Sequence, residues 1–250
     1  MKGELSIKVI RGQTGRTGYH LRNDSPTAHL EVQAFAIDLC NQLTPNWDYI
    51  LSSNKTAQQI KEDISKVKQQ GLIGYYYRAR SFPILTKPEP NKFGAPPLGK
   101  QSEGRYNESA VRVLYLAKDS QTAIKECSPS PEEPSIWVQK FNLQLPNDWV
   151  INLDLDMEEK APYLHYLLLD SEYIPNNLAE FPNIQNLYRA THLLKYICKL
   201  LDVSAIEYPS IKGDIQNNPS AINLVVIGDV VLKAEAMTTD KPQLSSLPAT

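Results

Sequence analysis

Side chains able to act on a charged substrate are concentrated in four short stretches that lie far apart in the sequence. They are residues 77–80, 104–107, 114–126 and 207–210. Arginine, present in the first two, makes fork-shaped contacts with phosphate oxygens. A carboxylate can stabilise positive charge that develops during a reaction. Glu126 ends a short predicted helix, where the helix dipole slightly disfavours a carboxylate, and a functional reason for its position is therefore plausible.

Each of these residues also has an ordinary structural explanation. Arg78 and Arg80 are compatible with surface ion pairs, which contribute little to stability. Tyr115 is compatible with a core aromatic, and Ser210, which follows Pro209, with a normal loop residue. For any one residue taken alone, the structural role is the more frequent one.

Taken together, the stretches resemble the RES domain, a family named after its arginine, glutamate and serine. The matching segments occur in the family's order: YYRAR, EGRYN, LYLA, TAIKE, EYPS and INLVV. The resemblance spans roughly residues 75–231, an ordinary domain length. Two departures are Glu103 at the first glycine of the family's turn and Tyr106 at the position of a usual tryptophan. The stretch from Ile136 to Ile206 matches only loosely.

The resemblance implies a shape related to ADP-ribosyltransferases and an enzyme that degrades NAD⁺, with Arg78, Glu126 and Ser210 as catalytic residues. Cleavage of the nicotinamide–ribose bond passes through an oxocarbenium-like centre. Glu126 would stabilise that charge, and Ser210 would hydrogen-bond the ribose or orient Glu126. Because nicotinamide leaves as a neutral group, the chemistry requires no strong general acid, metal or covalent nucleophile.

The same resemblance supplies candidates for binding NAD⁺. Arg78 and Arg105 would contact the pyrophosphate, while Tyr115 and Tyr106 would stack on nicotinamide or close the pocket. Either Arg78 or Arg80 is the family arginine, and Arg78 is better placed because it directly follows the aromatic run. The expected NAD⁺-binding residues are Arg80, Arg105, Tyr106, Asn107, Tyr115 and Asn223.

The acceptor of the ADP-ribose group stays open at this point. Water would make the protein a glycohydrolase and inorganic phosphate, as a co-substrate, a phosphorylase. Surplus cations such as Arg80 or Lys212 would favour phosphate. We rank these two outcomes above an ADP-ribosyltransferase that modifies a macromolecule, and above a non-catalytic module that binds a partner and has lost activity through Glu103.

The resemblance also implies a biological setting. Family members act as toxins of bacterial toxin–antitoxin or defence pairs, and a small Xre-type antitoxin protein covers the pocket. We therefore expect NAD⁺ as substrate, an antitoxin as partner and a homodimer as the oligomeric state.

Composition argues against other classes of protein. A net charge of -2 and a pI near 6.1 do not suit a nucleic-acid-coating protein. No apolar run is long enough to span a membrane, and the N-terminus has no apolar signal core. Cys40, Cys127 and Cys198 form no CxxC pair, which argues for reduced thiols in a cytoplasmic protein and against structural zinc. The acidic run at 154–159 is interpreted as a solvated strand end.

The pattern of elements predicts an α+β fold, with a strand-rich ADP-ribosyltransferase-like core and helices between strands. Three regions are expected: an N-terminal extension of one strand and two helices at 1–71, the catalytic domain at 72–235 and a loose tail at 236–250. In the extension we expect a strand at 4–10, a helix starting at Ser25-Pro26 and a helix over 56–70 that Gly71 ends.

In the catalytic domain the expected elements alternate around a long loop rich in proline. They are a strand over GYYYRAR, a loop at 81–104, a strand at 111–117, a helix at 120–127, two strands at 135–143 and 149–155, a helix at 183–201, and strands at 204–210 and 221–232. His165 and His192 fall within helical patterns and are interpreted as ordinary histidines.

Overall fold

The structure is a computed structural model of the 250-residue chain. It describes residues 26–245 apart from 98, 101, 110, 128, 130, 131, 154–156, 169–185, 211, 213–220 and 239. The predicted strand at 4–10 and the predicted N-cap Ser25 lie outside the described residues. No helix within this described part of the chain is long and apolar enough to cross a membrane.

Three helices come first: α1 (Pro26–Asn41), α2 (Trp47–Ser53) and α3 (Lys55–Val67). The helix predicted from Pro26 is therefore confirmed. The side chain of Asn46 caps the start of α2, and the side chain of Asn54 caps the start of α3. These two asparagines mark where the second and third helices begin. Asparagine is among the best residues at this position, since its side-chain oxygen accepts from an otherwise unpaired N–H of the first turn.

The predicted end of the third helix at Gly71 is wrong. α3 ends at Val67, and strand β1 (Lys68–Phe82) begins directly after it. Gly71 instead lies inside β1 with φ +95, where the pairing register shifts between Gln70 and Leu72. A strand glycine at positive φ is the signature of a β-bulge, which the helical pattern of the sequence hides.

The other strands are β2 (Leu114–Ala117), β3 (Ser135–Asn152), β4 (Val203–Pro209), β5 (Ile222–Val226) and β6 (Gln243–Leu244). β1 pairs with both β2 and β3, β2 pairs with β5, β5 with β4, and β4 with β3. These pairings form a closed circuit of five strands. The short strand β6 adds to the outer side of β3.

The remaining helices lie between the strands: α4 (Ser120–Glu126), α5 (Met157–Lys160), α6 (described over 162–168), α7 (Arg189–Leu200) and α8 (Val230–Glu235). Pro90–Phe93 adds one 3-10 turn in the predicted loop at 81–104. The mixed α+β character and the helix at 120–126 are confirmed.

Four expected boundaries need correction. The two strands expected at 135–143 and 149–155 are one continuous strand, β3, and Leu145 and Trp149, on either side of its middle, both pair with β1. The strand expected at 221–232 ends at Val226, and α8 follows. α7 begins at Arg189, later than predicted. Within the tail predicted to be loose, Gln243 pairs with Val138.

Alternation along the strands divides the core into two parts. On β5, Leu224 and Val226 pack with residues of β1, β2 and β3, whereas Val225 packs with the helices. This alternation is the two-residue period of a strand buried on both faces. The helix-side part contains residues of α1, α3 and α7 together. The division of the chain at residue 71 stays a prediction.

Asp63 of α3 links two helices through a buried carboxylate. Its side chain is 1% exposed, and Oδ2 accepts from the backbone N–H groups of Tyr163 (2.9 Å) and Leu164 (3.3 Å) in the first turn of α6. We expect Asp63→Ala to lower the free energy of unfolding by about 2 kcal/mol, because it leaves buried donors unpaired. Asp63→Asn keeps an acceptor and should cost less. Urea denaturation measures both.

The control for this prediction is Asp38→Ala, since Asp38 is exposed on α1 and accepts only from the neighbouring Gln42 in the described contacts. An equal loss of stability in the Asp38 and Asp63 variants would contradict the linking role of Asp63.

Candidate active site

A cavity of about 360 Å³ opens where β1, β2 and β5 meet the end of α4. Its walls combine two arginines, one carboxylate, three tyrosines and an amide: Arg78, Arg105, Glu126, Tyr77, Tyr115, Tyr208 and Asn223. Five of these seven residues were predicted from the sequence. The structure therefore brings together side chains that are separated by up to about 145 positions in the chain.

Glu126 is held at one oxygen. Oε1 accepts hydrogen bonds from Ser210 Oγ at 2.6 Å and from Asn223 Nδ2 at 2.9 Å. Both donors are buried, at 3% and 7% exposure, while Glu126 itself reaches the cavity. Because both of these bonds reach Oε1, the contacts given by the described residues leave Oε2 for a bound molecule. Ser210 therefore contacts Glu126 itself, and its role in a reaction stays a prediction.

Both donors are placed by the strand ladder. Asn223 of β5 pairs with Tyr208 of β4 on one side and Ala117 of β2 on the other. Ser210 follows β4, and its N–H donates to the Ala221 carbonyl at 2.8 Å, which extends the ladder by one step. The carboxylate on α4 therefore meets donors that the backbone of the sheet fixes in position.

The sequence did not decide whether Arg78 or Arg80 is the family arginine, and the structure places the two side chains differently. Arg78 lines the cavity, and its Nη1 donates to the carbonyls of Phe93 (3.2 Å) and Gly94 (2.8 Å). Arg80 does not line this cavity and donates to the Lys92 carbonyl. Burial and the nearby Arg80 lower the pKa of Arg78 to about 10, so Arg78 is charged at neutral pH.

Arg105 lies in a tight turn that α7 holds. The backbone groups of Gly104 and Asn107 pair with each other across the turn. The Arg105 carbonyl accepts from Thr191 Oγ1. The Arg105 guanidinium lies 5.9 Å from the centre of the Tyr208 ring, within range of a cation–π interaction. A Cβ at 104 would lie 2.7 Å from Asn107 Oδ1, so any residue larger than glycine would displace the side chain that accepts from the Tyr115 hydroxyl.

Tyr106 and Asn107 lie behind the cavity wall and do not line it. Tyr106 is 1% exposed, and its ring packs on Tyr208 at 4.8 Å. Asn107 Oδ1 accepts from the Tyr115 hydroxyl at 2.8 Å, and that hydroxyl accepts from the Tyr106 N–H at 3.0 Å. The two residues predicted to contact NAD⁺ are therefore placed to fix Tyr115 and the Arg105 turn instead.

Besides aliphatic lining residues, the sequence reasoning missed three cavity residues: Tyr77, Tyr208 and Cys127. Tyr208 sits inside the EYPS segment, and its position beside Pro209-Ser210 was the available signal. Burial raises the pKa of Tyr208 well above its ordinary value, so its hydroxyl stays protonated. Cys127 follows Glu126, and burial raises the pKa of its thiol. Among the described residues, no group of three His, Cys, Asp or Glu side chains is arranged to hold a metal ion.

The sequence matches no family model and no curated protein. Among solved structures, the fold is similar to a chain of the M. tuberculosis MbcT–MbcA toxin–antitoxin complex, with a TM-score of 0.41 and 12% sequence identity. The aligned region covers 76% of this chain and 90% of that chain. The fold and cavity define a mixed α+β protein with a charged, strand-lined site.

His192 of α7 contacts the turn that carries Arg105, and its protonation should make the stability of the protein depend on pH. It is 1% exposed, and its Nε2 lies 3.1 Å from the Gly104 carbonyl. Burial lowers the pKa of His192 from the ordinary 6.5 in spite of Glu103 and Glu108 nearby. The unfolded chain therefore binds this proton first, and the free energy of unfolding should fall as the pH drops below about 6.5.

We expect His192→Gln, whose amide can still donate to Gly104, to show a smaller loss of stability between pH 7 and pH 5 than the unmodified protein. Urea denaturation at each pH measures this difference. Burial also lowers the pKa of His29 and His165. Both histidines are present in the variant and in the unmodified protein, so their effect on the pH dependence of stability cancels in the comparison. Identical pH slopes for the two proteins would rule out His192 as a source of acid sensitivity.

Proposed function

We propose that this chain is an enzyme that cleaves the bond between nicotinamide and ribose in NAD⁺. The observation that carries the proposal is the Glu126 carboxylate, held by Ser210 and Asn223 in a cavity that Arg78 and Arg105 also line. The six sequence segments that resemble the RES domain support the same activity, since this cavity is built from them.

Glu126 is suited to the reacting ribose. Departure of nicotinamide leaves positive charge on the ribose ring, and a fixed carboxylate stabilises that charge without having to reorganise. Ser210 and Asn223 keep Oε1 in place through bonds of 2.6 Å and 2.9 Å. We assign Oε2 to the ribose. Catalysis then rests on positioning and electrostatics.

The arginines are suited to the pyrophosphate, because guanidinium groups bind phosphate oxygens in a planar, two-pronged geometry. Arg78 and Arg105 approach the cavity from different elements, β1 and the turn at 104–107. Tyr115 and Tyr208 offer aromatic surface for nicotinamide. A cavity of about 360 Å³ falls in the range of small-molecule sites.

We propose that water or inorganic phosphate accepts the ADP-ribose group, so that the enzyme depletes NAD⁺. Lys212 and Arg80 are the cations that would favour phosphate, and each donates to a backbone carbonyl, that of Glu126 (3.3 Å) and that of Lys92. From the resemblance we further propose a toxin of a bacterial toxin–antitoxin pair, acting in the cytoplasm. A small Xre-type antitoxin would cover the cavity, and the toxin would form a homodimer.

The direct test incubates the purified protein with NAD⁺, with and without phosphate, and follows nicotinamide release by chromatography. We expect nicotinamide together with ADP-ribose, or with ADP-ribose 1-phosphate if phosphate is the acceptor. Labelled NAD⁺ added to cell extract distinguishes a transferase, which would label a macromolecule. Folded protein that releases no nicotinamide in any of these arms would contradict the proposal.

Replacing the carboxylate separates an enzyme from a binding module. Glu126→Gln keeps the shape of the side chain and removes its charge, and we expect kcat to fall by about a hundredfold or more. Ser210→Ala keeps the charge and removes one hydrogen bond, so the loss should be smaller, about tenfold. Circular dichroism checks the fold of each variant. Unchanged NAD⁺ consumption in Glu126→Gln would remove Glu126 from the mechanism.

A further inference from the structure

The loop that follows β1 is held at four consecutive residues by three charged side chains. Arg78 Nη1 donates to the carbonyls of Phe93 and Gly94. The Ala95 N–H donates to Glu235 Oε1. The Pro96 carbonyl accepts from Arg112 Nε at 3.3 Å. The loop backbone that accepts hydrogen bonds from Arg78 is therefore also held by Glu235 and Arg112, which lie outside the cavity.

Glu235 and Arg112, which both hold this loop, also form an ion pair with each other. Arg112 Nη2 contacts both oxygens of Glu235, at 2.8 Å and 2.7 Å, and both side chains are mostly buried, at 26% and 16% exposure. Glu235 is the last residue of α8 and is separated from Arg112 by 123 positions. Ion pairs with this little exposure are screened weakly, so their geometry is kept more firmly than that of a surface pair.

Glu235 approaches the loop closely at Gly94. A Cβ at Gly94 would lie 2.6 Å from Glu235 Oε1, so a larger residue there would displace the carboxylate that accepts from the Ala95 N–H. Phe93 is fully buried and packs against Phe82 with ring centres 5.6 Å apart. The loop is thus anchored by its side chain at 93 and by its backbone at 94–96.

We propose that Glu235 is a positioning residue for Arg78, acting through the backbone of residues 93–96. Glu235, oriented by Arg112, fixes the loop, and the loop carbonyls of Phe93 and Gly94 hold the guanidinium so that it lines the cavity. Neither Glu235 nor Arg112 lines the cavity. The inference rests on the proposed function, in which Arg78 binds the NAD⁺ pyrophosphate.

The physical reason for such a device is the mobility of the arginine side chain. A free arginine loses side-chain entropy when it is fixed on a ligand. Two carbonyl acceptors on a fixed backbone remove much of that cost before the ligand binds. Loss of the anchor should therefore weaken NAD⁺ binding and leave the chemical step at Glu126 nearly unchanged.

Steady-state kinetics test this with a double-mutant cycle. Glu235→Gln keeps an acceptor for the Ala95 N–H but loses the charge that orients Arg112, and we expect KM for NAD⁺ to rise by about tenfold with kcat within about twofold. In an Arg78→Lys background the same change should raise KM by less than about twofold. Equal increases in both backgrounds would overturn the proposal.

Two further variants keep the test independent of a general loss of stability. Arg112→Lys keeps the charge but has one nitrogen in place of the two that contact Glu235 and the Pro96 carbonyl, and it should raise KM in the same direction as Glu235→Gln. Glu31→Gln is the matched control, because it makes the same change on α1, where Glu31 accepts from the Tyr163 hydroxyl at 3.0 Å, outside the cavity. A KM increase in Glu31→Gln equal to that of Glu235→Gln would also overturn the proposal.

A nuclear magnetic resonance measurement separates this inference from the proposed function. The Arg78 guanidinium, assigned by the signal that Arg78→Lys removes, should show distinct Nη signals in the unmodified protein and averaged signals in Glu235→Gln. If the unmodified protein releases no nicotinamide, the proposed function fails, and this comparison alone decides whether Glu235 positions Arg78. Unchanged Arg78 signals in Glu235→Gln would reject the positioning role whatever the activity.

Discussion

The long antiparallel pairing of β1 with β3 is the constraint on which the rest of the structure depends. It runs from Lys68 opposite Ile151 to Phe82 opposite Ser135, interrupted by the bulge at Gly71. Two strands of this length twist strongly, and the twist brings the far end of β3 beside β4 while β1 meets β2. The sheet can therefore close on itself, and the register shift at Gly71, where three residues of β3 stand opposite one of β1, gives this strand pair an additional local bend.

Closure has an electrostatic consequence in the interior of the ring. Tyr76 of β1 donates to Glu207 Oε1 of β4 at 2.6 Å, and both residues are nearly fully buried. Lys118, at the end of β2, lies 3.6 Å from the same oxygen. An unpaired carboxylate in that position would cost several kcal/mol. A tyrosine of β1 and a lysine that follows β2 therefore compensate one buried charge on β4, and this favours the closed pairing over an open sheet.

The parts of this fold that the sequence predicts are those with local patterns. The aromatic strand before Arg78, the helix ending at Glu126 and the EYPS and INLVV strands all follow from two-residue or helical periodicity over a few residues. The continuity of β3 was missed because Pro146 and Asn147 in its middle are typical of a turn. Only the partner strand β1 shows that this stretch stays extended.

In the candidate site, too, the sequence predicted some features and missed others. The resemblance of six ordered segments to the RES domain nominated Arg78, Arg105, Tyr115, Glu126 and Asn223, all of which line the cavity. It did not separate side chains that face the cavity from side chains that support it. Tyr106 and Asn107 share a turn with Arg105, and only the packing of that turn on α7 turns them away from the cavity.

The arginines and the carboxylate are held by opposite means, and this follows from where each lies. Glu126 is an acceptor and meets side-chain donors, Ser210 and Asn223, that emerge from the closed sheet. Arg78 is a donor and meets backbone carbonyls of a loop, which need no particular side chain. Loop carbonyls are only as fixed as the loop, so an arginine held in this way requires an anchor elsewhere. Glu126 needs no such anchor, because the strand pairing of the closed sheet already fixes the two residues that donate to it.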